Sequence, residues 1–133
     1  MANETIVTVD RVVDIVEARQ KGRELAASLG FSGGDLAVIA TAISELARNI
    51  IEYADKGEIV LGVTQQGARQ GIVVVARDEG PGIANVEQAM QDGFSTGKSL
   101  GLGLPGAKRL MHEFEIASEL GKGTVVTMRK WVR

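Results

Sequence analysis

Three short stretches of this 133-residue chain hold residues whose types and spacing suit chemistry. In "SELARNIIEYA", Glu45 and Asn49 stand four residues apart, one helical turn, so their side chains share a face. At 100° per residue Leu36, Ile39, Ile43, Leu46, Ala47 and Ile50 fall on the other side. Glu45 and Asn49 are therefore expected off the core, and taken alone they read as a solvated helix face. In "RDEGPGI", Asp78, Gly80 and Gly82 follow a strand-like run. Gly and Pro make this a tight turn, or else Asp78 is an acidic acceptor at a strand end whose glycines let a flat ring lie against the backbone. The third stretch, "DGFSTGKSLGLGLPG", carries two overlapping phosphate-loop patterns. Gly97-Lys98-Ser99 fails as a P-loop, because the position that needs the first glycine is Asp92 and no strand precedes it. Gly101-x-Gly103-x-x-Gly106 opens a helix but does not follow the strand of a βαβ unit, so it is no dinucleotide fingerprint. Small residues at a helix N-terminus still let backbone N–H groups approach an anion, and the helix dipole favours one there. The alternative is a flexible surface loop.

The elements that must position these stretches follow from periodicity. Residues 4–9 alternate and are β-branched, which predicts a strand, and Asp10 is placed to cap a helix that ends at Gly30. A second helix is expected from Asp35 to about Ala54, then strands at 58–64 and 71–77 joined by a polar "QQGARQ" turn. A short helix at 86–90, a helix from Gly101 or Leu102 through Met111, and a closing hairpin, "FEIASEL" and "TVVTMRKW" around "GKG", complete the chain. Strands segregate from helices, so the fold class is α+β, a two-layer sandwich, in one domain spanning 1–133. His112 is expected as a partner of the preceding helix's C-terminus. Met90 and Met111 read as core or lid packing, and Trp131 as packing or a partner contact.

Composition excludes other classes. Hydrophobic residues make up 44% and charged residues 24%, enough for a packed core. Net charge is -2 with no basic run, which argues against nucleic acid. No apolar stretch nears the roughly 20 residues of a membrane helix, and the N-terminus lacks the regions of a signal peptide. With no cysteine and one histidine, disulfides, thiolate sites and multi-His metal sites are excluded, and a cytoplasmic location is expected.

Taken in order, Glu45-x-x-x-Asn49, Asp78-x-Gly80-x-Gly82 and Gly101-x-Gly103-x-x-Gly106, with Gly123-Thr124 on the last hairpin, resemble the GHKL ATPase/kinase superfamily over residues 45–124. Within it, "TAISELARNI" and "GFSTGKSLGLGLPGAKRLM" look like the bacterial serine-kinase/anti-sigma group. The resemblance implies a Bergerat-type ATP-binding fold, a mixed but mainly antiparallel sheet with helices on one face. It implies ATP and Mg²⁺ as cofactors, with Asn49 on the metal and Glu45 as general base. Asp78 would accept from the adenine amino group, in a box with Gly80 and Gly82. The amides of Gly101, Leu102, Gly103 and Leu104, in the loop that Gly106 completes, would hold phosphates, and Thr124 would support the adenine end. Residues 84–100 would form a lid, in which Lys98 either contacts the γ-phosphate or is a solvated charge. Arg48 would reach a phosphate or form a structural ion pair. The implied function is a protein serine/threonine kinase that phosphorylates STAS-domain scaffold or antagonist proteins of a stress-signalling complex and then activates a PP2C-type phosphatase. The alternatives are an anti-sigma factor kinase and a nucleotide-gated binding module.

Overall fold

A computed structural model describes residues 4–82, 90 and 103–132. The elements are β1 (Thr5–Val9), α1 (Val12–Leu29), α2 (Gly33–Ala54), β2 (Gly57–Gln66), β3 (Arg69–Asp78), α3 (Gly103–Leu110), β4 (Glu113–Glu119) and β5 (Gly123–Trp131). The strands form one sheet in the order β1-β2-β3-β5-β4, with every described pair antiparallel. Ile39, Ile43, Leu46 and Ile50 of α2 are buried together with Ile59, Leu61, Ile72, Val74 and Met128 from the sheet. Alternate residues of each strand supply this layer, which is why β-branched period-two runs were legible as strands. Among the described residues no helix is long and apolar enough to cross a membrane.

The β2–β3 hairpin is longer than periodicity indicates. Its turn is only Gly67 and Ala68, with Gly67 at φ 61°, and the polar pairs Gln65–Gln70 and Gln66–Arg69 continue the ladder. A left-handed glycine in a two-residue turn matches the twist of the flanking strands, so backbone pairing runs on past the apolar residues. α2 begins at Gly33, before the expected Asp35, because Ser32 is its N-cap and accepts from the Asp35 amide at 3.5 Å. α3 spans Gly103–Leu110, shorter than expected at its described C-terminal end. Of the expected helix at 86–90 only Met90 lies within the described residues, in a turn, where it packs against the core. Met111 is buried as core. Trp131 is a packing residue: its indole N–H donates to the Glu113 carboxylate at 3.1 Å, and the Arg69 guanidinium lies 4.4 Å from the ring centroid. The Leu110 carbonyl at the end of α3 is met by the Lys130 ammonium at 3.2 Å, while His112 Nδ1 accepts the Trp131 amide at 2.9 Å.

The start of α1 corrects the expected cap. Arg11, in extended conformation, is the N-cap, and Asp14 rather than Asp10 supplies the carboxylate. Its Oδ2 accepts the Asp10 and Arg11 amides at 3.1 and 3.0 Å. A carboxylate one turn inside a helix reaches back to the orphan amides as well as one in front of it reaches forward. The bond from the Asp10 amide holds the Asp14 carboxyl below its ordinary range. Burial opposes this, and the Arg11 amide and guanidinium reinforce it. A depressed folded value means stabilisation that is complete above the unfolded pKa and is lost as pH falls through the folded one. Asp14→Ala is therefore expected to melt at a lower temperature than the wild type at pH 7. The gap should shrink at about pH 3, below the ordinary Asp value. Parallel thermal melts at the two pH values check this, and a gap that stays constant would mean the carboxylate charge is not what stabilises the helix start.

Candidate nucleotide site

The motif residues gather where β3 ends, β5 begins, and α2 meets α3. Register does the first part. Gly57 pairs with Asp78, and Asp78 with Thr124, so Asp78 and Thr124 become neighbours at one end of the sheet. Two residues further along each strand are Ile59, Ala76 and Val126, all core, so alternation turns Asp78 and Thr124 toward the helical layer. A Cβ on Gly57 would stand 3.0 Å from both Ile50 of α2 and Asp78, which fixes how closely α2 approaches this strand end. Asp78 Oδ1 accepts the Gly80 amide at 2.9 Å, closing the turn after β3. The Thr124 hydroxyl lies 2.9 Å from that of Ser118, whose Oγ also donates to the Gly123 carbonyl at 3.1 Å. Ser118 had no sequence signal of its own; only the β4–β5 register brings it to Thr124.

Close backbone approach explains two of the glycines. Gly82 has φ 78°, and a Cβ there would sit 2.3 Å from the Glu119 carbonyl oxygen. Gly123 has φ 106°, and its Cβ would sit 2.1 Å from that of Asp78. The Pro81 carbonyl accepts the Gly121 amide at 2.7 Å, so the loop after β3 and the β4–β5 turn are fastened as one rim. A side chain at either glycine would part them.

The polar pair on α2 is not where helical periodicity put it. Glu45 is buried, with 6% of its surface exposed, and Asn49 is half-buried. A helical wheel allows one covered face. α2 packs against α1, the sheet and also α3, and α3 covers the side that carries Glu45. The carboxylate is fully engaged. Oε1 accepts from Arg48 at 2.7 Å, and Oε2 accepts the backbone N–H of Gly103 at 2.9 Å. Arg48 and Glu45 thus form an ion pair within α2. Glu52, which periodicity places on the same stripe as Glu45 and Asn49, was missed by sequence reasoning. Its Oε2 is enclosed and has no hydrogen-bond partner among the described residues.

In the third stretch, Gly103 opens α3 with φ 70°, and Leu104 and Gly106 are buried in its first turns. Lys98, Gly101 and Leu102, with the lid expected at 84–100, lie outside the described residues except for Met90. Glu45 and Gly103, 58 positions apart, thus touch directly, and Asp78 and Thr124 are cross-strand neighbours. A cleft of about 590 Å³ lined by Ala68, Arg69, His112, Glu113, Trp131 and Val132 lies at the other end of β3. It holds none of the motif residues, and Arg69, Glu113 and Trp131 there are already paired with one another.

Comparison with known proteins bears on the family and the fold. Residues 9–130 match the family model for the histidine kinase-like ATPase domain. The chain is 48% identical over 133 residues, 100% of both chains, to the serine/threonine-protein kinase RsbT of Bacillus subtilis. It is 34% identical over 119 residues to the anti-sigma F factor of Caldanaerobacter subterraneus, covering 86% of this chain and 83% of that one. Among solved structures, the RsbU and RsbW domains of a Mycobacterium tuberculosis protein superpose with a TM-score of 0.65 at 21% identity, over 99% of this chain and 33% of that chain. The mycobacterial sensor histidine kinase MprB gives 0.56 at 16% identity, over 95% and 97%. At those identities the structures speak for the fold alone, whereas the family model and the full-length relative are sequence matches: the chain belongs to the histidine kinase-like ATPase domain family, which binds ATP.

Proposed function

We propose that this chain, as one catalytic domain, is an ATP-dependent protein serine/threonine kinase of a stress-signalling, partner-switching pathway. The full-length likeness to a serine/threonine-protein kinase supports the activity. The observation that carries the mechanism is the buried Glu45 carboxylate at the N-terminus of α3, one helical turn from Asn49. The likeness to anti-sigma F factors is lower in identity and covers less of the chain, so the sigma-sequestering alternative has less support.

In this reading the half-buried Asp78 accepts a hydrogen bond from the adenine amino group, beside Gly80 and Gly82, and Thr124 with Ser118 supports that end of the base. The phosphates run toward α3, whose first amides, Gly103 and Leu104 with Gly101 and Leu102 before them, meet the negative charge. Among the described residues no three His, Cys, Asp or Glu side chains converge. A magnesium ion suits such a site, because it binds through few protein ligands with water and substrate phosphates. Asn49 would hold it there, and it would neutralise phosphate charge. The acceptor hydroxyl's oxygen forms the new bond to the γ-phosphorus as the bond to the β,γ-bridging oxygen breaks. The hydroxyl proton passes to Glu45, and ADP leaves with the electron pair of the broken bond. Lys98 is a further candidate for the γ-phosphate.

Three outcomes check this assignment. Glu45→Gln is expected to retain ATP binding in calorimetry while phosphate transfer to a partner falls by about 10²-fold or more. Near-normal transfer would remove Glu45 from the chemistry. Asn49→Ala should weaken ATP binding in magnesium and change it little in EDTA, and an equal loss in both would sink the metal role. For partners, we propose STAS-domain proteins as substrates and a PP2C-type phosphatase as the activation target, competing for one surface. Phosphorylation of the STAS protein adds nearly two negative charges facing a chain of net charge -2, so the phosphorylated form should be released. Size-exclusion runs with both forms and the phosphatase's binding domain test it. A stable ternary complex, or equal retention of the phosphorylated form, would leave a kinase without the switch.

A further inference from the structure

The two ends of the Glu45 carboxylate have different partners, and only one of them is free to stay during catalysis. Oε2 holds the Gly103 amide at 2.9 Å, and Oε1 holds Arg48 at 2.7 Å. An acceptor hydroxyl needs a lone pair on this carboxylate, and a nucleotide phosphate needs the Gly103 amide. A backbone amide has one hydrogen, so the phosphate and Glu45 cannot both have it. Once displaced, a buried carboxylate with no partner would be strongly disfavoured. The Arg48 guanidinium prevents that. It belongs to the same helix, three residues on, and keeps about a third of its side-chain surface in contact with solvent, which leaves it room to follow the carboxylate.

Resting on the kinase reading above, we propose that Arg48 is a positioning residue. It retains the Glu45 carboxylate when a nucleotide phosphate takes the Gly103 amide, and so presents the released oxygen to the acceptor hydroxyl. Nucleotide and base are thereby linked through one N–H. Without phosphate the base is occupied as the acceptor for α3, and with phosphate it is set free. Water meeting an empty site then finds no activated carboxylate.

The competition is read with ADP, ATP and adenosine. If Glu45 contests the amide, folded Glu45→Ala should bind ADP, ATP or both about tenfold more tightly than the wild type, the factor expected for one hydrogen bond to a charged group, with adenosine unchanged. Unchanged or weaker binding of both phosphorylated nucleotides overturns the competition. Should circular dichroism show that Glu45→Ala does not fold, the wild-type chain decides. Its Gly103 amide resonance should move on adding ADP and stay in place with adenosine. An amide indifferent to ADP and ATP overturns the proposal. ADP carries no transferable phosphoryl group, so this arm stands or falls apart from the role of Glu45 as base. The positioning role is read from transfer. Arg48→Ala should lower kcat about tenfold to a hundredfold with little change in the KM for ATP, and Arg48→Lys should recover part of the loss. If Arg48→Ala lowers only the melting temperature, or if its loss lies in KM alone, Arg48 is structural and the proposal fails.

Discussion

A carboxylate taken out of water must be paired, and the pairing of Glu45 organises the helical layer. Desolvation would cost several kcal/mol per ion without partners. Glu45 meets that cost with one guanidinium from its own helix and one amide from a helix 58 positions later. The second bond sets where α3 begins relative to α2. Further along α2, Ile50 on its apolar side and Asp78 of β3 would each stand 3.0 Å from a Cβ at Gly57, so the same helix also closes on the strand ends. An apolar residue at position 45 would bury as easily, but it would leave the first amide of α3 without an acceptor.

The sheet contributes a different kind of constraint. Antiparallel register is all or nothing, since a slip of one residue turns every side chain to the opposite face. The ladder from Gly57 through Asp78 to Thr124 and Ser118 therefore fixes the polar end of the sheet along with its core. The rim above it depends on backbones meeting where no side chain fits, at Gly82 and Gly123. The candidate site residues on this side thus rest on hydrogen-bonded strands, while those on the α2 side rest on a buried charge.

The sequence was most legible where one periodicity meets one environment. The strands, α1 and most of α2 follow from apolar spacing, and the order of the three motifs carried the superfamily. It was least legible where a residue's environment comes from a distant segment. Glu45 looked solvated because nothing in "SELARNIIEYA" announces that α3 will cover it. Ser118 reads as one polar residue among several on β4 until Thr124 is set opposite it. Asp10 and Asp14 are both placed to serve the start of α1, and local pattern does not choose between them; the extended conformation of Arg11 does. The hairpin from Gln65 to Gln70 was underestimated because polar side chains hide a backbone ladder that does not depend on them.

These constraints meet in α3. Eight residues are too few for a helix to persist on its own in water. Its apolar contacts are few, Leu104, Pro105 and Ala107 in the first turns and half-buried Leu110 at the end. What remains is charge at both ends: the Glu45 carboxylate at the N-terminus and the Lys130 ammonium on the Leu110 carbonyl at the C-terminus, each of the sign that the helix dipole favours. The two charges come from α2 and β5, so the helix is held by the layers it lies between. Replacing the carboxylate at Gly103 by a phosphate preserves the sign of the charge there. Nucleotide would then enter as a substitute for an interaction the fold already uses, so α3 keeps its anion at every stage while Glu45 changes partner.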